Sequence, residues 1–208
     1  MPGLVDCRQC ERLDAYRLTL KQRYPDYHCR PVPAFGSSAA RLLIVGLAPG
    51  LHGANASGRP FTGDASGDLL FDCLHRHGLA SASQSRHCDD GLQLRDCRIT
   101  NAVKCVPPGN LPTATEKATC NRYLVEEVEA LPQGGVILTL GGVAHRMTLQ
   151  ALGLRAADYP FGHANCYRLP TGSTLLSSYH PSRYNINTGR LSAAAFDAVI
   201  ETARGWLQ

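Results

Sequence analysis

Two short runs with scarcely a polar side chain, RLLIVG (41–46) and GVILTLG (135–141), constrain this chain more than anything else in it. Both are too short for a helix, both end on glycine, and neither alternates polar with apolar residues. Each therefore reads as a strand buried on both faces. Such strands belong to parallel sheets, in which every crossover lays a helix over one face. The intervening segments have that character. SGDLLFDCLHRHGL (66–79) reads as a helix with Asp64 or Ser66 near its start and Gly78 at its end. TATEKATCNRYLVEEVEAL (113–131) opens on a capping-box pattern of Thr113 and Glu116, and residues 142–152 read as a further helix. RITNAVK (98–104) reads as another strand, and CYRLP with STLLSSYH (166–180) as a hairpin-like pair whose second strand ends at His180. Helices starting near Asp6 or Cys7 and covering 191–207 complete the pattern. The expected fold class is α/β, three layers (α/β/α) around a central, mainly parallel four-stranded sheet. With no internal repeat, linker or low-complexity tract, residues 1–208 are expected to form one domain.

Composition narrows the class. A chain of 208 residues with 44% hydrophobic and 18% charged residues has enough apolar material for a packed core and is not of the disordered type. A net charge of +4 suits a polyanionic partner without demanding one. No apolar run approaches the ~20 residues of a membrane helix, and the opening MPGLVDCRQC has no basic stretch followed by an apolar one. A soluble, intracellular protein is expected.

The unusual sequence falls where an α/β sheet keeps its ligands. GLAPG follows the first strand, Asn101 and Lys104-Cys105 close the second, LGG follows the third and HPS the fourth. All four features belong to the carboxyl-end rim, where open α/β sheets form their crevice. The first of them is long: Gly46 to Asp68 holds six glycines and two prolines. Such a loop brings backbone close to a ligand without Cβ clashes and presents N–H groups to anionic oxygens.

Nine cysteines, an odd and high number, argue against a disulfide framework in a reducing compartment: either they are buried core filler or some of them hold a metal. Cys7-x2-Cys10 is a chelating pair. Cys105 and Cys120 flank a Pro-Pro-Gly turn that can fold back and bring their thiols together. Four thiolates suit either zinc or a 4Fe–4S cluster. Cys29, Cys73, Cys97, Cys166 and Cys88 read as buried small hydrophobes.

GLAPGLHGANASGRPFTGD (46–64), TNAVKCVPPGNLP (100–112) and SSYHPSRYNINTGRL (177–191), in that order, together resemble the uracil-DNA glycosylase superfamily, specifically its family 5 (type b). The resemblance runs from Cys7 into the last helix. It implies that Cys7, Cys10, Cys105 and Cys120 hold a structural 4Fe–4S cluster. Family 4 carries glutamate where this chain has Leu47, whereas family 5 takes its acid from FTGD, here Asp64. Ala56-Ser57 stand where the family often has Arg-Thr, which removes one phosphate contact.

The roles implied by the resemblance follow the demands of the chemistry. A base must leave the stack before its glycosidic bond can be attacked. Asp64 would orient water and stabilise charge at the sugar, or serve only as a helix N-cap. Asn101 would read the base edge, or simply end a strand. His180 would donate to the departing base, or be a structural histidine. Phe61 would stack on the base, or be core. Gly46, Ala48, Gly50 and His52 would line the nucleotide, and Ser182 and Arg183 would grip phosphates or wedge into the duplex. Arg59, Lys104 and Arg190 are further phosphate contacts, or ordinary solvated charges. The implied protein is a monofunctional, monomeric enzyme of base-excision repair, cytoplasmic and nucleoid-associated. It would act on DNA containing uracil, hypoxanthine or xanthine and hand abasic sites to downstream repair enzymes. The alternatives are a family 4-like, uracil-restricted enzyme and a non-catalytic nucleic-acid-binding module around a four-cysteine metal site.

Overall fold

A computed structural model describes residues 3–207. In chain order the helices are α1 (Glu11–Arg23), α2 (Ala54–Ser57), α3 (Ala65–Arg76), α4 (Ala114–Glu129), α5 (Gly142–Ala151), α6 (Arg183–Asn187) and α7 (Ala193–Gly205). The strands are β1 (Leu42–Gly46), β2 (Cys97–Asn101), β3 (Val136–Leu140), β4 (Cys166–Arg168) and β5 (Thr174–Ser178), joined in one sheet of order β2-β1-β3-β5-β4. The first four in that order are parallel, and β4 pairs antiparallel with β5 at the edge.

The sheet thus has five strands, not the four expected from the sequence. The extra strand is the first arm of the hairpin-like pair. Its turn closes through Leu169 N–H to Ser173 O (2.9 Å) with Gly172 at φ 83°, which keeps β4 in plane with β5. Cys166 on this edge strand is exposed, as is Cys88, so neither is core; Cys29, Cys73 and Cys97 are buried as expected.

Each central strand is buried on both faces. Leu42, Ile44, Ile99, Val136 and Leu138 point to the layer of α3 and α7, where Leu70, Phe71, Leu74, Phe196 and Ile200 meet them. Leu43, Val45, Ile137 and Leu175 point to the layer of α4 and α5. The period-two alternation of strands accounts for this division. From β1 the chain crosses outward to β2 and then returns past β1 to β3, so the right-handed crossover rule puts α3 and α4 on opposite faces. The expected three-layer arrangement follows.

The first helix starts at Glu11 rather than near Asp6 or Cys7. Leu4 is buried beside Leu13, and the chain turns through Cys7 N–H to Leu4 O (3.1 Å) to deliver it, leaving Cys10 extended at the N-cap. The Thr113–Glu116 capping box forms at the start of α4 as its spacing requires.

Candidate active site

Beyond the carboxyl ends of β1, β2 and β5 lies a cleft of about 640 Å³. Its lining includes Ala48, Gly50, His52, Phe61, Asp64, Asn101, His180, Ser182 and Arg183. The strand register explains the gathering. Gly46 and Asn101 are paired at the ends of β1 and β2, and the two segments stay together past the sheet through Ala102 N–H to Gly46 O (2.9 Å) and Val103 N–H to Leu47 O (2.8 Å). Gly46 does not line the cleft itself. A Cβ there would stand 2.4 Å from Asn101 Oδ1 and 2.7 Å from the Phe61 ring, so its bareness lets both side chains close over the strand end.

Phe61 adopts φ 54°, a left-handed conformation that costs a bulky residue of order 1–3 kcal/mol. The surrounding packing holds it there: Gly67 in α3 meets the Phe61 carbonyl so closely that no side chain fits at 67. The ring is buried and stands 5.8 Å, centroid to centroid, from that of His180 at 27°. Phe61 belongs to the core, as one of its two readings had it, and also lines the cleft.

Asp64 divides its two oxygens. Oδ1 accepts from Ser66 N–H and Gly67 N–H, each at 3.0 Å, and so caps α3. Oδ2 turns toward the glycine loop, where a Cβ at 53 would lie 2.4 Å from it and one at 50 would lie 3.5 Å away. The glycines therefore clear space around the oxygen that the cap does not use. The helix-cap reading of Asp64 is correct and leaves an oxygen facing the cleft.

His180 follows β5 and is fixed through its backbone: its carbonyl accepts from Asn185 Nδ2 (2.8 Å), while Ser182 Oγ caps α6 by accepting from Asn185 N–H (3.3 Å). Burial pushes the His180 pKa below the usual histidine value, and the nearby Asp64 charge opposes that shift. Burial likewise lowers His28, His145 and His163. An unfolded chain would bind protons at these four positions near pH ~6.5, before the folded one does. Stability is therefore expected to be retained above that pH and to fall as pH drops below it. Melting temperatures measured from pH 8 to 5 check this; a melting point that rises on acidification would contradict it.

Two residues expected at phosphates are elsewhere. Arg59 is buried and binds Asp90 (2.5 Å), Ser85 and Thr62, with its guanidinium 4.7 Å from the Phe35 ring centre. Lys104 is 1% exposed and bonds to Thr100 and to both oxygens of Glu127 at 2.8 Å, a side chain equally buried. Both ended in ion pairs because their partners, Asp90 and Glu127, sit on distant segments that the local sequence does not reveal. Burial works against the Asp90 carboxylate, yet the Arg59 bond and the N–H groups of Leu92 and Arg86 hold its pKa below the usual range. The 81–97 segment thereby braces the end of the glycine loop. Arg190 stays exposed, 4.6 Å from the Tyr179 ring centre.

Two further cleft residues lie inside the second and third motif segments, which assigned them no role. Asn110 and the 72%-exposed Tyr184 line the cleft, and Tyr27 holds the exposed His52 through a 2.9 Å hydroxyl–Nδ1 bond.

Cys7, Cys10, Cys105 and Cys120 line a second, smaller cavity between α1 and α4, with Leu4, Leu13 and Tyr123 as apolar wall. Burial pushes Cys105 up to about 12 and Cys120 up to about 11, and raises Cys10. The Lys104 backbone N–H donates to Cys120 Sγ at 3.3 Å. Among the described residues, no three His, Cys, Asp or Glu side chains converge closely enough to hold a metal ion. Four thiols disposed around one cavity, with an N–H donor to a sulfur, fit the donor set of an iron–sulfur cluster.

Comparison with known proteins bears on the whole chain. Residues 33–204 match the model of the uracil DNA glycosylase superfamily. A type-5 uracil-DNA glycosylase of Thermus thermophilus is 45% identical over 97% of this chain and 94% of its own length. One from Mycobacterium leprae is 44% identical over 95% of this chain and 90% of its own. A type-4 enzyme from Pyrobaculum aerophilum is 31% identical over 75% of this chain and 74% of its own. With the rim residues of all three motifs gathered at one cleft, the chain belongs to the uracil-DNA glycosylase superfamily, on its type-5 branch.

Proposed function

We propose that this protein hydrolyses the N-glycosidic bond of uracil in DNA, as a monofunctional glycosylase that starts base-excision repair and leaves an abasic site. The observation that carries the proposal is the convergence of Asp64, Asn101, His180 and Phe61 on one cleft at the strand ends. The flipped base would lie against Phe61, with the Asn101 amide at its edge. Asp64 Oδ2 would hold the attacking water and accept its proton as oxygen bonds to C1′ and the base departs with the bonding electrons. His180, neutral because it is buried, would donate to the oxygen on which that charge collects. Gly46, Ala48, Gly50 and His52 would shape the wall, and Ser182 and Arg183 would meet the phosphates. Among the described residues lining the cleft there is no lysine to form a Schiff base, which supports base release without strand cleavage.

Cys7, Cys10, Cys105 and Cys120 would hold a 4Fe–4S cluster whose task is to pin α1 to α4. The buried thiols would give up their protons on binding such a cluster. The protein would act as a monomer in the cytoplasm, beside DNA, upstream of enzymes that process abasic sites. Among the described residues no helix is long and apolar enough to cross a membrane.

The substrate range extends in this proposal to hypoxanthine and xanthine. Chromatography of the bases freed from duplexes carrying U, hypoxanthine or xanthine tests it. Release of all three is expected, with uracil among the products in every preparation. Negligible hypoxanthine release would restrict the enzyme to uracil, and release of none would leave only a binding module.

A further inference from the structure

We infer that Arg17 donates through Nε to a sulfur of the cluster proposed above, and that its charge offsets part of the cluster's own. The inference rests on that cluster assignment and adds to it a residue outside the four thiols.

Arg17 stands where charge is costly. Leu13, Arg17 and Leu20 form the buried stripe of α1, and the Arg17 side chain is 8% exposed. A guanidinium in such a place has to find acceptors for its five N–H groups inside the protein. Nη2 donates to Asp14 Oδ1 and to the Cys7 carbonyl (3.1 Å), and Nη1 reaches the Cys29 carbonyl at 3.5 Å. Nε is shut off from water and finds no acceptor among the described residues. An unmade hydrogen bond on a buried charged donor costs more than a made one returns.

Arg17 also lines the four-cysteine cavity, beside Cys7, Cys10, Cys105 and Cys120. The other cation among the described residues lining it, Lys104, carries its Nζ away to Glu127 and Thr100. Iron–sulfur clusters held by four thiolates are anionic overall, and N–H groups donated to their sulfurs stabilise them. The Lys104 backbone N–H already points at Cys120 Sγ, and Arg17 adds a donor with a full positive charge. An arginine serving only to tie the carbonyls of Cys7 and Cys29 together would use Nη1 and Nη2 and leave the burial of Nε unexplained. Asp14, the ion-pair partner, lines the same cavity and is the more exposed of the two at 21%. One ion pair thus presents both signs of charge to the cluster.

The reduction potential of the cluster gauges this arrangement, because it follows the charge and hydrogen bonding around the sulfurs. Protein prepared without air is titrated with dithionite and redox mediators, and the reduced cluster is counted by electron paramagnetic resonance. Arg17→Gln is expected to disfavour reduction by about tenfold in the equilibrium constant, about 59 mV for one electron, and to lose iron faster to a chelator. Arg17→Lys, which keeps the charge without Nε, should move the potential the same way by less. Asp14→Asn, which removes the opposing charge, should move it the other way. A structural role alone does not give opposite signs from the two halves of one ion pair. An unchanged potential in Arg17→Gln, or shifts of one sign in both Arg17→Gln and Asp14→Asn, overturns the inference and leaves the cluster in place. Should Arg17→Gln hold no iron, the signs in Arg17→Lys and Asp14→Asn decide the matter. Wild type that holds zinc or no metal ends the cluster assignment and this inference with it.

Discussion

Asp64→Asn is expected to slow uracil release by about 10²–10⁴-fold while leaving the fold intact. The two outcomes separate because the two carboxylate oxygens do different things. Oδ1 caps α3 through the N–H groups of Ser66 and Gly67, and asparagine caps a helix about as well as aspartate. Oδ2, in the space kept open by Gly50 and Gly53, is the atom that would hold and deprotonate water, and an amide cannot take that proton. Rates of alkali-labile site formation paired with thermal melts check this. A loss below about threefold would remove Asp64 from the chemistry. Asp64→Ala would differ in kind, since it also costs the cap, roughly 0.5–2 kcal/mol.

The second large effect concerns assembly. Cys120→Ala is expected to abolish iron binding and to destabilise the protein by on the order of 4–5 kcal/mol, the scale at which loss of a structural metal is felt. Cys120 is buried between α4 and the strand-end segment carrying Lys104, and it faces Cys7 and Cys10 across the cavity. Without the cluster, three remaining thiols line the cavity between α1 and α4. Wild type prepared without air should be brown, absorb near ~400 nm and hold about four irons per chain. Stoichiometric zinc in wild type, or an unchanged melt in Cys120→Ala, would contradict the cluster.

Much of this was legible because the chain's local signals agree with its topology. RLLIVG and GVILTLG became β1 and β3, buried on both faces, since short continuous apolar runs closed by glycine suit strands covered on both sides. The Thr113–Glu116 pair marked the start of α4 because capping is a contact across three residues. The rim followed from parallel strands, whose carboxyl ends all face one way. What escaped the sequence depends on partners far along the chain. Arg59 and Lys104 look like solvated cations until Asp90 and Glu127 are seen beside them. The left-handed Phe61 is fixed by Gly67, and nothing at position 61 announces it. Cys166 reads as core, yet it lies on an edge strand whose place is set by the hairpin turn at Gly172.

The central claim is that the cleft takes one extruded uracil and hydrolyses it from its sugar. The most direct measurement counts free uracil and abasic sites together after incubating the protein with a duplex carrying a single uracil. The two should appear in equal amounts, with the strand unbroken until alkali is added. Duplex bound with no uracil freed, or a strand cut before alkali, would contradict the account.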